Sequence, residues 1–308
     1  MTAQPRLVSS SPEMLQLVES IAAEWDALGM DGYLLARNID TGDELGFNTE
    51  TPVPLASVVK VPLALAVLER VADGSLDPAH QVTIDPATAS YGPTGVAVFR
   101  HPATLAVGDL LYQALTVSDN ACADVLIDLV GLDALAERLR AWDCPGVAFR
   151  HRMQRMYDCA VGVAGHDFGL AREFAIRDDR PDGHHTIEML DVVHANVGSA
   201  LALVDLLQRI WLDRVSDPAA TAELRRLMGC AVFTHRLSSD LRVDTLRVSA
   251  KTGTFLHLRH EIGVIEAETG DRVAIAALTR SRRRATIAHD IDLAIGAAAR
   301  TSFEALRR

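Results

Sequence analysis

The chain has 308 residues, 49% hydrophobic and 23% charged, enough to bury a large core in one composite domain or two. Its net charge of −11 excludes a nucleic-acid backbone as natural partner, because that role needs a basic face, and a small-molecule substrate fits better. The longest apolar runs, such as VVKVPLALAVL with Lys60 inside it, are too short to cross a bilayer, so no membrane partner is expected.

The opening MTAQPRLVSSSPEMLQLVES has no basic segment followed by a sustained apolar one, so no signal peptide is read and a cytoplasmic location is expected. Cys122, Cys144, Cys159 and Cys230 show no C-x-x-C or His-Cys spacing, which agrees with a reducing compartment and with neither disulfide nor metal.

Along the chain, residues 12–28 place apolar side chains three and four apart behind Ser11, which predicts a capped amphipathic helix. YLLARNID and TGDELGFN read as two strands joined by a turn at Thr41–Gly42. The period turns helical from Ser57 to about Ala72, and again near 107–117, 121–141 and 198–213. The stretch 150–195, rich in Arg, Asp, Gly and His, predicts a long loop that shapes a pocket. RVSAKTGTF, HEIGVIEA and DRVAIAALT then read as three strands, followed by a helix from about Ala285. This order predicts an α+β fold, one antiparallel sheet drawn from both ends of the chain with a helical block inserted. The sheet subdomain takes residues 1–50 and 226–308; the helical subdomain takes 51–225, with an extended loop at 145–195.

Lysine occurs only at positions 60 and 251; every other one of the 30 basic residues is arginine. A guanidinium stays charged at any accessible pH, so an amine that must lose a proton cannot be replaced by arginine. Lys60 stands three residues after Ser57, on the same face of one helical turn, where free N–H groups favour developing negative charge. Burial among Val and Leu would lower the lysine pKa enough for a neutral amine to take the hydroxyl proton. Ser118-Asp119-Asn120 ends the helical run LAVGDLLYQALTV, and taken alone reads as a helix cap. Lys251-Thr252-Gly253-Thr254 lies in a predicted strand, where Gly253 lets a ligand approach the backbone and its neighbours offer a charge and hydroxyls.

S-x-x-K, S-D-N and K-T-G in this order resemble the motif set of class A β-lactamases and penicillin-binding proteins. The flanks SVVKVP, LAVGDLLYQALTVSDNACADVLIDLVG and KTGTF with RHEIGVI extend the likeness over about residues 30–300, with 140–195 poorly covered. The resemblance implies a class A β-lactamase-like fold and a serine acyl-enzyme, with no cofactor. It makes Ser57 the nucleophile, Lys60 its base, Ser118 the proton relay to the leaving group and Asn120 a holder of substrate or lysine. It gives Lys251 the role of keeping the pocket positive, Thr252 and Thr254 contact with a substrate carboxylate, and the N–H groups of Ser57 and Thr254 an oxyanion hole. Tyr91 falls where the family places an aromatic wall.

The likeness breaks at the loop glutamate that activates the deacylating water in class A enzymes. In VAFRHRMQRMYD, Arg152 matches the family's arginine, Gln154 its glutamate and Asp158 its asparagine. A glutamine is no general base, so a β-lactam adduct is expected to release slowly. Glu173 and Glu188 are alternative bases, each read more simply as a solvated charge. His166 with Asp167, and His184 with His185, lack metal-ligand spacing. Three functions stay open: a cytosolic hydrolase of an ester, amide or β-lactam; an acyltransferase of natural-product biosynthesis; and a catalytically weak acyl-binding or β-lactam-binding protein.

Overall fold

The computed structural model describes residues 5–177, 184–241 and 243–307. β1 (Leu7–Ser9) is followed by helix α1 (Pro12–Ala27), which starts where Ser11 accepts the Met14 N–H and Pro12 occupies the first turn. Its apolar stripe Val18, Ile21, Trp25 is buried. Then come β2 (Met30–Asn38), β3 (Glu44–Phe47), β4 (Val53–Pro54), a 3-10 turn (Ala56–Val59) and α2 (Lys60–Ala72). The helical block continues through the hairpin β5 (Gln81–Ile84) and β6 (Ala103–Ala106), then α3 (Val107–Thr116), α4 (Asn120–Val130) and α5 (Leu132–Ala141). β7 (Val147–Ala148), α6 (Gln154–Ala164), α7 (Phe168–Ile176) and β8 (Val197–Gly198) lead to α8 (Ala200–Trp211) and α9 (Pro218–Gly229). The chain closes with β9 (Leu246–Phe255), β10 (Leu258–Ala267), β11 (Arg272–Ser281) and α10 (His289–Leu306).

The main sheet has the order β1-β3-β2-β11-β10-β9, with every neighbouring pair antiparallel. One face packs against α1 and α10 through Trp25, Ile275, Ile295 and Phe303; the other meets the helical block through Ile262, Val264 and Leu278. Two separate cores therefore sandwich the sheet, as the sequence order predicts, and β9 is left as an edge strand beside the inserted helices.

The stretch 150–195 departs from the expected long loop, since its described part contains α6 and α7. Their buried faces are thin, Met156 with Ala160 and Ala171 with Ala175, so the apolar period is faint in sequence although Asp167 caps α7 through the Leu170 N–H. Residues 178–183 of that stretch lie outside the described residues. Helix α9 was also absent from the predicted elements, despite its Asp217 cap and Pro218, and the subdomain boundary after residue 225 falls within it.

Candidate active site

Three elements converge at the edge of the sheet. The turn Ala56–Val59 presents Ser57, the bend before α4 and the first residue of α4 present Ser118 and Asn120, and β9 presents Lys251. Ala56, immediately before Ser57, is held at φ +47°, and Ser118 at φ +60°, both in the left-handed region that non-glycine residues rarely adopt. Gly253 lies so close to the Ser57 turn that an added Cβ would meet Leu55 O at 2.7 Å and Val58 Nα at 3.2 Å. The glycine of the third motif is thus a packing requirement that brings β9 against the turn carrying Ser57.

Lys60 is fully buried, and its Nζ donates to Ser118 O at 2.6 Å, Asn120 Oδ1 at 2.7 Å and Ser118 Oγ at 3.4 Å. Burial lowers its pKa to about 7 against the opposing charges of Asp119 and Asp124. Lys251, 1% exposed, donates to Ser118 Oγ at 2.9 Å and to Thr252 O at 2.8 Å. Its pKa lies well below the ordinary value, through burial first and the Lys60 charge second. The Ser118 hydroxyl therefore stands between two amines, and Ser57 nearby is 8% exposed. Asp119 does not face substrate: it is buried and accepts from Ala121 N, Cys122 N and Val96 N, which fixes the bend before α4.

Asn120 joins this centre to its wall. Its Nδ2 donates to Tyr91 O at 3.0 Å, while the Tyr91 N–H donates to Gln154 Oε1 at 2.5 Å. Gln154 Nε2 donates in turn to Asp158 Oδ1 at 2.7 Å. Tyr91 is 53% exposed and belongs to an aromatic group with Tyr157 (centroids 4.9 Å), Phe168 (6.0 Å) and, through Tyr157, Phe255 (5.7 Å). Burial raises the Tyr157 pKa, opposed by its hydrogen bond with Asn120.

Asp124 secures the placement of Gln154, a role the sequence reading missed. Fully buried in α4, it accepts from Met153 N at 2.5 Å, Gln154 N at 2.9 Å and Ser90 Oγ at 2.6 Å, with Arg152 Nε at 3.7 Å. It clamps the start of α6 and residue 90 onto the helix that carries Asn120. The alternative bases are tied elsewhere: Glu173 pairs with Arg177 at 3.1 Å and Arg284 at 2.9 Å, and Glu188 with Arg155 at 2.7 Å. Asp167 caps α7, His184 meets Asp191 at 2.7 Å, and His185 meets Ala175 O at 3.2 Å.

Arg236 and Glu261 are two further residues that sequence reading passed over. Arg236, 1% exposed, donates to Thr254 Oγ1 at 2.9 Å, His260 O at 2.8 Å and Asp292 Oδ1 at 2.7 Å. One arginine among many carries no sequence signal of such burial. Glu261, opposite Thr252 in the sheet register and fully buried, did carry one: a charge inside the apolar run HEIGVIEA. Burial pushes its pKa up to about 7, against the charge of Arg236.

Residues 16–306 match the Beta-lactamase enzyme family. The chain belongs to that family. This β-lactamase-family chain is 39% identical over 267 residues to the "Beta-lactamase regulatory protein BlaB" of Streptomyces cacaoi, covering 82% of this chain and 86% of that protein. Its fold is shared with a β-lactamase from Sphaerobacter thermophilus, at TM-score 0.75 and 19% identity over 94% of this chain and 95% of that one. It is shared equally with the structure of PBP-A, at TM-score 0.75 and 16% identity over 97% and 98%. The class A β-lactamase fold and the serine-hydrolase superfamily read from the motifs are therefore established.

Proposed function

We propose that this β-lactamase-family chain forms an acyl-enzyme on Ser57 with a small acyl donor bearing a carboxylate, and that a β-lactam adduct is released slowly whereas a simple ester acyl group turns over. Neutral Lys60 takes the Ser57 proton as Oγ attacks the carbonyl carbon. The tetrahedral oxyanion is received by the Ser57 and Thr254 N–H groups. As the bond to the leaving atom breaks, Ser118 gives that atom its proton and recovers one from the Lys60 ammonium. Thr252, Thr254 and Arg236 receive the substrate carboxylate, and Tyr91 flanks the acyl group.

The observation that carries the reading is the pair of buried amines on Ser118, with Lys60 brought to a pKa of about 7. Slow release is supported by Gln154, whose amide sits between Tyr91 and Asp158 in the place read as the water-activating position. A cytoplasmic location is part of this proposal, supported by four unpaired cysteines.

A second reading, a β-lactam-binding protein that signals by its acylated state, is favoured by Gln154 and by the regulatory name of the Streptomyces cacaoi relative. Intact-protein mass spectrometry after exposure to a penicillin, a cephalosporin and activated esters tests both. A Ser57→Ala variant that still forms adducts at full rate would remove the nucleophile from the scheme. Turnover of activated esters favours the hydrolase, and adducts that persist with every donor favour the binding protein.

A further inference from the structure

The segment that carries Ser57 enters its turn under strain, and one side chain of the main sheet reaches it. Ala56 is held at φ +47°, a conformation that persists only where neighbouring groups over-determine it. Two of the holds are main-chain bonds, from Leu55 N to Asn196 O at 2.8 Å and from Val58 N to Leu55 O at 3.1 Å. The third comes from a ring: His260 Nε2 stands 2.8 Å from Pro54 O.

His260 is fully buried on β10, directly opposite Gly253. Both face the Ser57 segment: an added Cβ on Gly253 would meet Leu55 O, and the imidazole opposite it meets Pro54 O. The β10–β11 ladder is interrupted between the pairs Leu258–Arg280 and Glu261–Ala277, and in that gap the Thr279 N–H donates to His260 Nδ1 at 2.9 Å. An Nδ1 that accepts carries no proton, and a carbonyl oxygen cannot donate, so Nε2 is the protonated nitrogen and donates to Pro54 O. Burial first, then the charges of Arg236 and Arg280, push the His260 pKa down to about 3 against the Pro54 hydrogen bond. The ring therefore stays neutral, in this one tautomer, wherever Lys60 acts as a base.

We infer that His260 is a positioning residue for acylation: its Nε2–H, donated to Pro54 O, fixes the strained turn that aims Ser57 Oγ. The inference rests on the Ser57 acyl-enzyme reading and adds a residue that acts through the main chain of Pro54. Two substitutions divide the ring between its contacts. Glutamine sets an amide N–H near the place of Nε2 and can keep the Pro54 bond, whereas asparagine sets an oxygen near the place of Nδ1 and can keep only the Thr279 bond. Limiting acylation rates and half-saturation concentrations are measured for both variants with benzylpenicillin by intact mass, and exchange of the Val58 N–H is followed by NMR.

His260→Asn is expected to lower the limiting rate at least about tenfold, to leave half-saturation within about twofold of wild type, and to speed Val58 exchange about tenfold. His260→Gln is expected to keep rate and exchange within about threefold. A limiting rate kept by His260→Asn, or lost equally in the two variants, overturns the inference. So does a wild-type His260 ring that NMR finds protonated on Nδ1, or titrating between about pH 5.5 and 9, a result that needs neither variant to fold. If no donor labels wild-type Ser57, the acyl-enzyme reading alone fails, and Val58 exchange still decides whether His260 holds the turn.

Discussion

The Gln154 side-chain oxygen accepts the Tyr91 N–H at 2.5 Å, and Tyr91 O accepts from the same Asn120 that holds Lys60. Gln154 is thus connected to Lys60 through one main-chain unit and one amide. Gln154 also donates to Asp158, so a glutamate in its place would set two carboxylates side by side and raise the pKa of one.

Gln154→Glu alone is therefore predicted to speed release of a penicillin adduct by less than about threefold. Gln154→Glu with Asp158→Asn, which restores a donor, is predicted to speed it by about tenfold or more. Adduct mass followed with time in both variants checks this; no gain in the double variant would mean that residue 154 does not address the acyl carbonyl.

Acylation is predicted to rise with pH through about 7, because the Lys60 amine acts only when neutral and its pKa lies there. Lys60→Arg, which cannot lose its proton, should acylate as slowly as Lys60→Ala. Single-turnover rates between pH 5.5 and 9 would show the step in the wild type and none in either variant.

The same lysine makes a stability prediction. Its folded pKa of about 7 lies below the unfolded value near 10.4, so the unfolded chain binds more protons between the two and the Lys60 contribution to stability rises with pH across that window. Below about pH 7 its burial cost is largest. Lys60→Met is accordingly predicted to stabilise the fold at pH 7 by about 1–4 kcal/mol while abolishing acylation, with the gain shrinking toward pH 10. Urea unfolding at the two pH values measures it.

Asp124→Ala should cost about 3–5 kcal/mol, since it strips a buried carboxylate from two main-chain N–H groups and a hydroxyl. Hydrogen exchange should speed first at Met153 and Gln154. Uniform exchange over the whole chain would show that Asp124 does not act as a local clamp.

The sequence made the two-ended sheet and the motif residues legible because their signals are local: a period of two or of 3.6, and a serine and lysine one turn apart. Lysine scarcity added a chemical signal, and both lysines do meet at Ser118. Asp124, Arg236 and Glu261 were not assigned because their roles depend on burial by distant segments: Asp124 meets residues 90 and 153–154, and Arg236 meets 254, 260 and 292. Helices α6 and α7 hid behind small buried alanines that give little hydrophobic contrast. Beside the role of keeping the pocket positive, Lys251 makes a direct contact that the sequence did not show, since it is buried and donates to Ser118 Oγ. Lys251→Arg is now expected to lose acylation more than a charge-only role implies, because the larger guanidinium has no exposed space to enter.

The central claim is fast acylation of Ser57 followed by slow release, and a rapid-mixing experiment with a chromogenic β-lactam tests it most directly. The predicted trace is a burst equal to one product per protein chain, then a steady rate at least about a hundredfold slower, with the label on Ser57. A linear trace without a burst, or a burst that persists undiminished in Ser57→Ala, would contradict it.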